Sequence, residues 1–121
     1  MEIVRDFGGV AGGTPGKMRK VTLFETPRFF ADVYVLLPGQ SQSPHAHAGA
    51  DKVYACLAGR GVVRVGKDAV PVRAGVAVHC AAGVEHGVEN DGREELRLLV
   101  FMAPHPRPPA GAAPVAGRGS V

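Results

Sequence analysis

No window of this chain sustains apolar residues at helical spacing for ten or more positions. In place of helices there is one short β-rich run after another: Met18–Phe24, Phe29–Leu36, Val53–Leu57, Val62–Val65, Val76–Cys80 and Leu96–Met102. Turn residues separate the runs, among them Pro38-Gly39, Gly59-Arg60-Gly61, Gly66-Lys67-Asp68, Ala74-Gly75, Gly83 and Asn90-Asp91-Gly92. Within Phe29–Leu36, Ala31, Val33 and Val35 fall on one face and Asp32 on the other, a period of two. Such a chain buries its apolar surface by laying sheet on sheet, so the pattern predicts an all-β sandwich or closed barrel. At 121 residues it makes a single domain, since two cores would each be too small to hold together.

The ends differ from the middle. From Phe7 to Gly16 half the residues are glycine, but the segment lacks the Lys-Ser/Thr of a phosphate-binding loop, so residues 1–17 are expected to form a flexible glycine-rich arm. Residues 18–103 carry the strands. Residues 104–121 hold five of the ten prolines, and their apolar residues are mostly alanine. Side chains that small cannot offset the entropy of ordering the backbone, which predicts a mobile tail with a solvated His105.

That tail also contains Arg107, Arg118 and no acidic residue, so the rest of the chain carries twelve basic against eleven acidic groups, although the whole carries +3. A nearly neutral body has no basic face of the kind that binds nucleic acid. Cys56 and Cys80 both sit in apolar runs and read as buried core thiols rather than a disulfide framework. The N-terminal residues are mixed in charge and then glycine-rich, unlike a signal peptide, and the longest apolar run falls well short of a membrane span. The expectation is a soluble, cytoplasmic protein with no membrane partner.

Four of the five histidines lie between residues 45 and 86. In an extended segment His45 and His47 point to the same side, about 7 Å apart along the backbone, so their imidazoles can converge on a metal at roughly 2.0–2.2 Å from each nitrogen. A third ligand then has to come from elsewhere, with His86 the obvious candidate. His79 and Asp51 are further candidates. Against Asp51, adjacent strand residues face opposite ways, so Asp51 points outward wherever Lys52 points inward, unless a bulge intervenes. For His79, packing among Val78 and Cys80 competes with ligation.

The frame around these histidines resembles the two motifs of the cupin superfamily. In the first, Gly39 is followed by five residues, His45-x-His47, four residues, position 52, six residues and Gly59. In the second, Gly75 is followed by five residues, position 81, Gly83, two residues, His86, three residues and Asn90. The chain departs from the family where Lys52 stands in place of glutamate and Ala81 in place of proline. The resemblance implies a small single-domain cupin, a jelly-roll β-barrel with a divalent transition metal (Fe, Zn, Ni or Mn) in its mouth, held by His45, His47 and His86. The family's carboxylate ligand maps onto Lys52, whose ammonium cannot coordinate a cation. At an effective dielectric of about 20, two unit charges 5 Å apart repel by roughly 3 kcal/mol, and a divalent ion doubles that. Either Lys52 swings to solvent, or it sits neutral with a depressed pKa, or the site holds no metal.

Three neutral imidazoles leave the charge of a divalent ion uncompensated, which favours an anionic, chelating substrate, and a nearby lysine pushes the same way. The expected function is therefore a metal-dependent enzyme, of oxygenase, isomerase or cyclase type, acting on a small anionic metabolite with Lys52 as an electrostatic or substrate-facing residue. The competing expectation is a non-catalytic small-molecule-binding module in which Lys52 marks a degenerate metal site. Exposed strand edges, with the N-terminal arm and Met18–Phe24 available for pairing, further predict a homodimer.

Overall fold

The computed structural model describes residues 3–107. Nine strands form two antiparallel sheets: β1 (Arg19–Thr26), β2 (Phe29–Leu36), β3 (Ser41–His45), β4 (Asp51–Ala58), β5 (Arg60–Val65), β6 (Asp68–Arg73), β7 (Ala77–Cys80), β8 (His86–Glu89) and β9 (Leu96–Ala103). One sheet has the order β1-β2-β9-β4-β7 and the other β3-β8-β5-β6. They close on each other as the expected jelly-roll β-barrel. Among the described residues no helix is long and apolar enough to cross a membrane.

All six runs read from the sequence are strands. Three further strands, β3, β6 and β8, are polar or short, and they take their conformation from ladder partners rather than from their own composition. The core between the sheets is built from alternate residues of facing strands: Tyr34 and Leu36, Tyr54 and Cys56, Val63, Val72, Val78, Cys80, Val88, and Leu96, Leu98 and Val100. Both cysteines are buried free thiols.

The period of two in β2 does not separate a buried face from a wet one. Tyr34 and Leu36 enter the barrel, while Val33 and Val35 pack on the other side with Leu23, Val10, Phe24 and Leu99. The cover on that second side is the glycine-rich N-terminal segment, which is not a free arm. After a single 3-10 turn at Phe7–Gly9 it runs over the sheet, where Arg97 donates to the Val10 carbonyl at 2.9 Å and the Gly13 amide donates to Glu95 at 2.9 Å. Gln40 holds its far end by donating to the Thr14 carbonyl at 2.7 Å.

The motif asparagine is a brace at the base of the barrel. Asn90 Nδ2 donates to the carbonyls of Leu36 and Glu94, at 2.9 and 2.7 Å, and its Oδ1 accepts from the Gly92 amide. Gly59 has φ +79°, and a Cβ there would run into the carbonyl of Glu95, so the turn from β4 to β5 requires glycine.

Candidate metal centre

His45 ends β3 and His86 begins β8, and these two residues are direct register partners. Between Gln42 and His45 the register shifts, with one more residue on β3 than on β8. Strict alternation would turn Gln42 and His45 to opposite faces; the extra residue lets both line the same cavity. His47 lies just past the strand, where its carbonyl accepts from the Gly83 amide at 2.9 Å and so ties the loop to the turn before β8.

The three rings converge. Ring centroids are 4.8 Å apart for His45 and His47, 4.6 Å for His45 and His86, and 5.9 Å for His47 and His86. One ligand nitrogen from each falls within 4.8 Å of the others. His45 Nδ1 lies 3.0 Å from the Ser43 carbonyl and His86 Nδ1 lies 3.0 Å from the Val84 carbonyl. With Nδ1 donating to those carbonyls, each ring keeps an Nε2 lone pair free to bind. His86 Nε2 is buried with no hydrogen-bond partner. A buried polar atom without a partner is costly, and a metal ion held by the three rings would answer that cost. Burial also pushes the His86 pKa down to about 4, so the ring is neutral at pH 7 and able to ligate. The donor set fits a divalent transition metal.

Lys52 does not swing to solvent. It is 1% exposed and lies on the inward face of β4 with Tyr54 and Cys56. Its ammonium sits 4.8 Å from the Tyr54 ring centroid and 5.3 Å from that of Tyr34, and donates to Gln42 Oε1 at 3.3 Å. The same Oε1 accepts from the Tyr54 hydroxyl at 2.7 Å. Among the described residues no carboxylate forms an ion pair with Lys52, so two aromatic faces and one amide stand in for water. Burial first, then the charge of Lys20, pulls its pKa down to about 8. Burial pushes the Tyr34 pKa up to about 12 and that of Tyr54 upward as well, so both phenols remain protonated donors.

A family model described as Cupin domain matches residues 32–102. This protein is a cupin. The solved structure of TT1209 from Thermus thermophilus superimposes on it with a TM-score of 0.80 at 42% identity, over 84% of this chain and 96% of that one. Tetracenomycin polyketide synthase protein TcmJ of Streptomyces glaucescens is 34% identical over 77 residues, 63% of this chain and 52% of its own. An uncharacterized protein of Streptomyces coelicolor is 39% identical over 64 residues, 53% of this chain and 57% of its own. The cupin thus spans little more than half the length of these curated relatives.

The structure brings His45, His47 and His86 together and leaves the other two candidate ligands outside. Asp51 and His79 lie on the outer face of the β4–β7 pair, both about 60% exposed, with 3.8 Å between His79 Nε2 and Asp51 Oδ1. Asp51 also caps the turn before β8 by accepting from the Ala82 amide at 2.7 Å. No bulge at the start of β4 reverses the alternation, so Lys52 inward leaves Asp51 outward.

His105 is not solvated either. Only 7% of its side chain is exposed, and it packs edge-on against Phe30 at the cavity mouth. The first tail residues, through Arg107, thus line the site, while the remainder of the predicted tail lies outside the described residues. Of the residues that sequence reasoning missed, Tyr34 and Tyr54 carried a signal: they stand two from Asp32 and Lys52 and share their faces. Lys20, Gln42 and Arg107 carried none.

Proposed function

We propose that this cupin is a metal-dependent enzyme that takes a small, anionic, chelating metabolite at the His45–His47–His86 centre, with Lys52 facing the substrate. The observation that carries the reading is His86 Nε2, buried and unpartnered, in a ring oriented from its other nitrogen and grouped with two more imidazoles. When bound, a divalent metal such as Fe, Zn, Ni or Mn supplies Lewis acidity to an oxygen-bearing substrate group.

The chain's own residues supply the rest. A cavity of about 700 Å³ opens on His45, His47 and Lys52, with Phe30 and Met102 among its apolar walls. Lys52 offsets the substrate's negative charge, and with its pKa near 8 it exchanges a proton at Nζ close to neutral pH. Gln42 fixes the ammonium, and the Tyr54 hydroxyl fixes Gln42. The likeness to a polyketide synthase protein is compatible with a small-molecule substrate, and the reaction we propose is of oxygenation, isomerisation or cyclisation type. One observation favours a second reading, a non-catalytic binding module: a buried ammonium stands where its charge opposes that of a metal.

Elemental analysis of the purified protein separates the two. Stoichiometric metal that is lost in His47→Ala supports the enzyme reading. Absence of metal after reconstitution with Fe(II), Zn(II), Ni(II) and Mn(II) overturns it in favour of the binding module. Lys52→Glu restores a carboxylate to the inward position and is expected to tighten metal binding at least about tenfold by titration calorimetry.

A further inference from the structure

Four residues past the last strand make a structure of their own at the cavity mouth. His105 Nε2 is 2.6 Å from Glu25 Oε2 on β1, and His105 Nδ1 accepts from the Arg107 amide at 2.9 Å. An Nδ1 that accepts carries no hydrogen, so Nε2–H donates to Glu25 and the imidazole links β1 to the Arg107 backbone. The edge contact with Phe30, 5.5 Å between centroids, holds the ring from the side. This clasp brings Arg107 into the wall of the metal-site cavity, close enough for its charge to bear on His47.

The cavity is therefore cationic at two levels. Lys52 is buried at its floor beside the histidines. Lys20 and Arg107 are exposed at its rim, with Lys20 Nζ 5.3 Å from the ring centroid of Tyr34. The lining carboxylate, Glu25, is already engaged by His105. Asp32, on the same face of β2 as Tyr34, is buried and does not line the cavity; burial raises its pKa, while a hydrogen bond from Thr22 and the charges of Lys20 and Lys52 pull it down. A ligand with one negative group satisfies the floor and leaves the rim cations facing water.

We infer that Arg107, held by the His105–Glu25 clasp, is a specificity-determining residue that selects dianionic ligands, meeting with Lys20 the second anionic group of a molecule whose first lies at the floor. The inference rests on the proposed anion site and names its substrate class: small molecules with two acidic groups at opposite ends. A guanidinium suits the outer position because it pairs with a carboxylate through two hydrogen bonds while remaining hydrated.

The test compares succinate with butyrate, four-carbon acids of two and one charges, by titration calorimetry. Both Zn(II)-loaded and chelator-treated protein are used, so that binding at the Lys52 floor is read with and without a metal beside it. Succinate is expected to bind about tenfold or more tightly than butyrate. Arg107→Met should remove that preference, weakening succinate about tenfold more than butyrate. His105→Ala should reduce the preference with Arg107 still present, a loss that the charge of Arg107 alone does not explain. Equal binding of the two acids by the wild type, or a preference that survives Arg107→Met, overturns the role of Arg107 and leaves the anion site standing. Failure of both acids to bind in either form overturns the anion site and this inference with it. Arg107 is exposed, so its replacement does not threaten the fold.

Discussion

A single side chain, Lys52, sets the chemistry of this barrel apart from the carboxylate-bearing sites it resembles. Its burial without an ion-pair partner has a cost that can be measured. The unfolded side chain titrates near 10.5 and the folded one near 8, so between these values the unfolded chain binds the extra proton. The Lys52 contribution to stability accordingly rises as pH climbs from 8 to 10.5 and stays at its lower level below 8, opposed above pH 9 by the buried cysteines and tyrosines, whose pKa values burial raises. Lys52→Met keeps the stem and removes the charge. In metal-free protein at pH 7 it is expected to be more stable than the wild type by on the order of 3 kcal/mol, a difference that shrinks as pH climbs from 8 to 10.5. Urea denaturation across that range measures both, and parallel pH profiles for the two proteins would show that Lys52 is not buried as a cation. That a lysine occupies position 52 is plain in the sequence. That it points inward and stays there is not, because alternation gives only relative faces until a core defines which face is inside.

At the scale of elements, the site depends on one irregularity, the extra residue in β3 that turns both Gln42 and His45 into the cavity. Across from it on β8 stands Gly87, where a Cβ would come within 2.7 Å of the Gln42 carbonyl oxygen and 3.2 Å of the Pro44 nitrogen. Both are backbone atoms and cannot move aside cheaply, so glycine at 87 is what lets the irregular strand lie flat on β8. Gly87→Ala is predicted to cost about 1–3 kcal/mol and to weaken metal binding by displacing His45 from its partner His86. Thermal denaturation and metal titration check the two effects, and unchanged metal affinity in a destabilised variant would separate the irregularity from the site. Sequence periodicity found the strands with strong β character. It did not find β3 or β8, which carry two of the three histidines, because their conformation is enforced by neighbours. The motif spacing marked the histidines all the same.

For the whole molecule, the N-terminal segment acts as an outer layer on the five-stranded sheet. It covers Val33, Val35 and Leu23, and it occupies Arg97, Glu95 and Gln40. Deleting residues 1–16 should cost about 3 kcal/mol from re-exposed apolar surface and lost hydrogen bonds, and lower Tm by about 15 °C. An unchanged Tm would mean that the segment merely rests on the sheet. The edge strands β1 and β7 remain the argument for a homodimer, which light scattering tests: a mass of 12.6 kDa at micromolar concentration would be a monomer and count against it. By itself the sequence determined a single all-β domain, its strongest strands and the three histidines, because alternation, turn chemistry and motif spacing are local and survive without a fold. Only the tertiary structure decided that Lys52 faces inward, that Asp51 and His79 lie outside, and that Arg107 reaches the mouth. Each of those depends on which surfaces meet when two sheets close, a property of no segment taken alone.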